Sequence, residues 1–186
     1  MRARAWMAVA IAAISSIALG ALLGLVWARL APRVDLIVAG DGKPYPEGYQ
    51  PEGYMTDDGI AAILCAIAGL VVGACVVFAV RRAARGQDLD RGMRWAAVLV
   101  VVLGLLGAAS LWLVGTRAAS VDFDALLAAS QAGDAVRAPL RLRMPGVLVL
   151  WPAASALVVF AVAVGDWLVA RSSERQSAQG QRPSGA

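Results

Sequence analysis

The chain of 186 residues is 60% apolar and only 16% charged, whereas soluble domains carry about 25% charged residues. This composition excludes an ordinary soluble globular domain, and a net charge of +4 is too small to indicate nucleic-acid binding. The absence of histidine removes the most common general base and metal ligand from the chain.

Four apolar runs predict helices that can cross a bilayer, whose hydrocarbon core is about 30 Å thick and needs about 20 apolar residues. Only one charged residue, Asp166, lies inside them. The runs are residues 5–28, 59–80, 95–115 and 146–169. We therefore predict an all-α membrane protein: a four-transmembrane-helix bundle over residues 1–170, followed by a disordered cytoplasmic tail over 171–186.

The six tryptophans support these spans, because all of them lie near a predicted span end, as expected of an aromatic belt at headgroup level. Arg2 and Arg4 precede the first run, as they would in a signal peptide. The run exceeds the roughly 7–15 apolar residues of a cleaved signal, which favours a retained anchor. The tryptophans are Trp6, Trp27, Trp95, Trp112, Trp151 and Trp167.

Basic residues predict the orientation of the bundle. Ten of the seventeen lie in the N-terminus, the 81–94 loop and the C-terminal tail, and five of these crowd the 81–94 loop. Because cytoplasmic loops carry an excess of lysine and arginine, we predict a plasma-membrane protein with both termini in the cytoplasm.

The first outer loop begins with a β-prone segment, 34–38, that ends in a glycine-rich turn signal. The sequence Pro-Glu-Gly-Tyr then occurs twice, at 46–49 and 51–54, and predicts an extended, turn-rich segment. Its tyrosines fit either a recognition surface or an interfacial loop whose rings enter the headgroups.

The second outer loop predicts a short amphipathic helix over 122–130 and then a strand pattern over 136–144 with one basic face. Arg137, Arg141 and Arg143 form that face. The two β-prone segments predict a small extracytoplasmic cap, although Pro139 restricts its strand to a sheet edge. Alternatively, the arginines contact lipid phosphates.

Four charged residues are candidate functional residues: Asp57, Asp58, Arg141 and Asp166. Asp57 and Asp58 suit the N-cap and first turn of the second helix better than a calcium site, since their spacing matches no calcium-binding loop. Asp166 is a functional candidate because it lies within a span, but a hydrated carboxylate or an ion pair with Arg171 or Arg94 accounts for it equally. The sequence predicts no metal site and no cofactor.

Small residues recur every four positions on the first two spans and predict close helix packing. The glycines in these stripes are Gly20 and Gly24 on the first span and Gly69 and Gly73 on the second. Two such stripes on consecutive helices predict a tight hairpin between them.

Three short strings resemble an actinobacterial family of small four-pass membrane proteins of unknown function. They are Trp-Ala-Arg-Leu-Ala-Pro at 27–32, Asp-Asp-Gly at 57–59, and Ala-Pro-Leu-Arg at 138–141 leading into 146–152. The resemblance implies a plasma-membrane location in a high-GC Gram-positive bacterium, and it brings no activity or catalytic residue.

The leading functional hypothesis is a non-enzymatic accessory or scaffold subunit of the cell envelope, with the bilayer and either a membrane protein or a second copy as partners. The chain offers no nucleophile constellation and no nucleotide-binding loop. The alternative is a small transporter or lipid-handling protein that uses Asp166 or the outer arginines. A shared pocket around Asp57, Asp58 and Arg141 would favour that alternative or an enzyme.

Overall fold

The computed structural model describes residues 2–46, 51–83 and 88–180. Four of its helices are long and apolar enough to cross a membrane, which confirms the four predicted helices. Large apolar side chains such as Ile14, Ile63 and Phe160 are exposed on their outward faces. The long helices are α1 (Arg2–Leu30), α2 (Pro51–Ala83), α3 (Asp88–Ala118) and α5 (Leu150–Gly180), and a short helix, α4, spans Phe123–Ala129.

All four long helices extend beyond the predicted apolar runs, and two of these extensions change an expectation. Helix α2 begins at Pro51, so the second Pro-Glu-Gly-Tyr copy is helical rather than extended; proline fits the first helical position, where its missing N–H has no intrahelical partner. Helix α5 follows a 3-10 turn over Pro145–Val149 and continues to Gly180, so residues 171–180 are helical where a disordered tail was expected. Residues 47–50 of the repeat and the last residues of the tail, 181–186, lie outside the described residues.

Helix α3 lies at the centre of the bundle and packs against α1, α2 and α5. Helix α1 packs mainly on α3, and α2 packs mainly on α5. Successive long helices reverse direction, so each of these two main pairs is parallel. We call the end where α1 ends and α2 begins the cap end, and the end where α2 ends and α3 begins the distal end.

The α1–α3 contact depends on glycine and serine. A Cβ atom on Gly20 would collide with the carbonyl oxygen of Gly107, and one on Gly24 would lie 2.5 Å from the carbonyl oxygen of Leu111. Two serine hydroxyls join the helices in opposite directions: Ser16 donates to the carbonyl oxygen of Leu103 at 2.7 Å, and Ser110 donates to that of Ile17 at 2.9 Å.

The α2–α5 contact is built in the same way. A Cβ atom on Gly69 would collide with the carbonyl oxygen of Trp151, and one on Gly73 would lie 3.0 Å from the Cα atom of Ser155. The Ser155 hydroxyl donates to the carbonyl oxygen of Gly69 at 2.8 Å. The predicted hairpin between the first two spans is therefore wrong, because each glycine stripe faces a parallel helix instead of the other stripe.

A three-stranded antiparallel sheet covers the cap end, with β1 (Asp35–Val38) between β2 (Pro44–Pro46) and β3 (Ala135–Arg137). The predicted pairing of the two loops is present, but β3 ends at Arg137, before Pro139. Gly42 supplies the positive φ of 75° that the turn between β1 and β2 requires. The Asp122 carboxylate accepts the backbone N–H of Ala125 and begins α4.

The tryptophans divide into two groups. Trp27 and Trp151 are 0% exposed and form the main core at the cap end together with Leu111, Leu140 and Val147. The belt prediction is therefore wrong for these two residues. The other four are exposed, as headgroup-level rings would be: Trp6, Trp95, Trp112 and Trp167.

Replacing Gly20 with alanine should destabilise the bundle by about 1–3 kcal/mol, because the new methyl group meets backbone that cannot move aside. Gly165→Ala is the matched control, since open space surrounds Gly165, and it should be neutral or stabilise by up to about 1 kcal/mol. Reversible unfolding in bicelles measures both variants, and equal effects would contradict the packing described.

Candidate functional site

Asp58 on α2 forms hydrogen bonds with the chain segment that leads into α5. Its buried carboxylate accepts the backbone N–H of Met144 at 2.8 Å and that of Arg143 at 3.2 Å. Because α2 begins at Pro51, both aspartates lie beyond the first turn, and the prediction that they cap this helix is wrong. The Asp58 carboxylate instead fixes the entry to the 3-10 turn.

Asp57 lies beside it and links α1 to α2. Its carbonyl oxygen accepts the indole N–H of the buried Trp27 at 2.8 Å. Its carboxylate oxygen Oδ1 is buried and has no hydrogen-bond partner among the described residues. Arg143 and Arg33 are close enough for their charges to act on this carboxylate. Asp57 thus combines a structural backbone contact with a buried acceptor near two cations.

Arg141 is exposed, and the arginine that approaches the two aspartates is Arg143. Strand β3 stops at Arg137, so the alternating pattern of residues 136–144 does not continue as a sheet face. The alternating pattern predicted both arginines on one face of a strand, and it did not indicate which of them lies near α2.

Asp166 forms an ion pair with Arg81, in which both side chains are 47% exposed. The expected partners, Arg94 and Arg171, are therefore wrong for this carboxylate. The guanidinium of Arg171 instead lies 5.0 Å from the ring centre of Trp167. The parallel pairing of α2 with α5 brings Arg81 to Asp166, and the sequence did not reveal that pairing.

Three arginines from two distant parts of the sequence converge at the cap end. Arg29, Arg33 and Arg137 line a cavity of 420 Å³ together with Asp35. Asp35 neighbours Arg137 across the sheet, with 3.8 Å between Oδ1 and the guanidinium Nε. Three cations against one carboxylate suit an anionic group, since guanidinium binds phosphate and carboxylate well.

Among the residues that the structure describes, no group of three or more cysteine, aspartate or glutamate side chains could hold a metal ion. Comparison of the chain with protein-family models, curated proteins and solved structures found no match. The resemblance to the actinobacterial four-pass family therefore stays a prediction.

Asp58→Asn should destabilise the protein by about 2 kcal/mol, because a neutral amide replaces a charged acceptor of two backbone N–H groups. Asp57→Asn is the matched control, and it should cost less than half of that, since Oδ1 of Asp57 makes no hydrogen bond. Thermal unfolding followed by tryptophan fluorescence compares the two variants. A larger loss for Asp57→Asn would contradict the assigned roles.

Proposed function

We propose that this chain is a multi-pass plasma-membrane protein that acts as a non-enzymatic accessory or scaffold subunit of the cell envelope. The attachment of the cap to the bundle is the observation that carries the proposal. Trp27 contacts Asp57 across α1 and α2, and Asp58 secures the segment between β3 and α5. Asp58 contributes to this attachment, and Asp57 joins the two helices beside it, so both aspartates that suggested chemistry have structural contacts. A firmly held cap favours a fixed surface for a partner.

The bundle interior supports the same proposal. Alternating access requires one group of helices to rock against another around a substrate site. Here glycine contacts bring backbones together along both parallel pairs, and the hydroxyls of Ser16, Ser110 and Ser155 are bonded to carbonyl oxygens of the facing helix. Close contacts of this kind favour an assembled, static bundle.

The proposed orientation places the cap outside the cell and the distal end in the cytoplasm. The concentration of arginine in residues 81–94 supports it, because positively charged loops are retained on the cytoplasmic side. The proposal includes the location that the family resemblance implies, the plasma membrane of an actinobacterium.

A lipid-handling or transport function is the second candidate, and the cavity lined by Arg29, Arg33 and Arg137 favours it. Three guanidinium groups at the cap end suit the phosphate of a lipid in the outer leaflet. A carrier must release such a group, whereas an accessory subunit would use the same charges to bind an acidic partner.

An accessory subunit should remain bound to its partner when detergent extracts it from the membrane. Native mass spectrometry of the tagged full chain, extracted in a mild detergent, should find the 19.2 kDa chain bound at a fixed ratio to another protein or to a second copy. The triple variant Arg29→Gln, Arg33→Gln, Arg137→Gln should weaken an acidic partner's binding at least tenfold.

The matched control replaces Lys43, Arg117 and Arg141, three exposed basic residues that do not line the cavity, with glutamine. Recovery of wild type only as a monomer would overturn the accessory function. A monomer whose triple variant fails to restore the envelope lipids of a deletion strain would establish the lipid-handling function instead.

A further inference from the structure

A large cavity opens at the distal end of the bundle, between α2, α3 and α5. Its volume is 1020 Å³, which is larger than that of the arginine-lined cavity at the cap end. One part of its wall is charged, with Arg81, Arg94 and Asp166. The other part is largely apolar and consists of Leu89, Met93, Ala163, Trp167 and Ala170.

The cations that line this cavity come from different helices. Arg81 belongs to α2 and is oriented by its ion pair with Asp166 on α5, while Arg94 belongs to α3. Arg171 lies over Trp167, which lines the cavity, and adds a further positive charge nearby. Among the side chains that the structure describes around this cavity, three guanidinium groups thus accompany one carboxylate, that of Asp166, which pairs with Arg81.

A second, smaller cavity lies beside the first one on α3 and is also lined by arginine. Arg91, Arg94 and Trp95 line it together with Val98, so Arg94 borders both cavities. Indole rings favour the headgroup level of a bilayer, and guanidinium groups bind phosphate oxygens in pairs. The distal end therefore presents phosphate-binding groups beside the exposed indole rings of Trp95 and Trp167.

We propose that the distal cavity binds an anionic phospholipid, whose headgroup phosphate lies between Arg81 and Arg94. One acyl chain lies along the apolar wall formed by Met93 and Ala163. This inference rests on the proposed membrane insertion. A free phosphate would use the arginines alone, whereas the adjoining apolar wall fits a lipid, and basic cavities between membrane helices are known sites for anionic headgroups.

The test uses the full-length protein in nanodiscs of equal parts phosphatidylglycerol and phosphatidylcholine, with the retained lipid counted by native mass spectrometry. Wild type should retain phosphatidylglycerol preferentially. Arg94→Gln should reduce that preference about fivefold, as expected for one arginine near an anionic surface. Arg94→Lys should keep most of the preference, because the positive charge remains.

Arg82→Gln is the matched control, since Arg82 is an exposed neighbour of Arg81 on α2 that does not line the cavity. It removes the same charge from the same end of the bundle and should leave the preference within twofold of wild type. Equal losses for Arg82→Gln and Arg94→Gln would overturn the site. Displacement of the lipid by millimolar inorganic phosphate would also overturn it, by showing a simple anion site.

A topology measurement separates failure of this inference from failure of the proposed function. In a background with Cys65 and Cys75 replaced by alanine, Ala83→Cys at the distal end should react with an impermeant maleimide only after cells are permeabilised. Labelling of Ala83→Cys in intact cells would overturn the proposed orientation. Cytoplasmic labelling together with equal lipid retention by all variants would overturn the lipid site alone.

Discussion

The close approach of helix backbones at glycine determines the rest of this structure. Between helices in an apolar environment, side-chain burial contributes little to association, so contact depends on packing and on hydrogen bonds between helices. Gly20 and Gly24 allow α1 to approach α3, and Gly69 and Gly73 allow α2 to approach α5. Serine hydroxyls then reach carbonyl oxygens of the facing helix in both pairs. The two parallel pairs meet around α3, which contacts every other long helix.

Both candidate sites follow from these pairs. At the cap end, the pairing of α2 with α5 brings Asp58 to the backbone of Met144, and this contact fixes the segment between the sheet and α5. At the distal end, the same pairing brings Arg81 to Asp166 and leaves the cavity that Arg94 borders from α3. Asp58, Arg81 and Asp166 thus acquire their partners from the helix pairing rather than from their neighbours in sequence.

The sequence predicted the elements of the fold better than their contacts. Apolar run length located all four long helices, and the β-prone segment at 34–38 and the amphipathic segment at 122–130 correspond to β1 and α4. A stripe of small residues indicates that a helix packs closely but does not identify its partner, so the α1–α2 hairpin was wrong. The proline repeat suggested an extended chain, yet Pro51 begins α2, and this displaced Asp57 and Asp58 from the capping positions. The choice of Arg143 over Arg141 depends on where β3 ends, which periodicity alone does not specify.

The pairing of α1 with α3 is the central claim, and it can be measured without altering the protein. Solid-state NMR of the glycine-labelled full chain in lipid bilayers detects carbon pairs that lie close in space. We predict correlations of Gly20 with Gly107 and of Gly24 with Gly115, because these residues meet across the two helices. Correlations of Gly20 with Gly73 or of Gly24 with Gly69, in place of those two, would contradict the account and restore the antiparallel hairpin of consecutive helices.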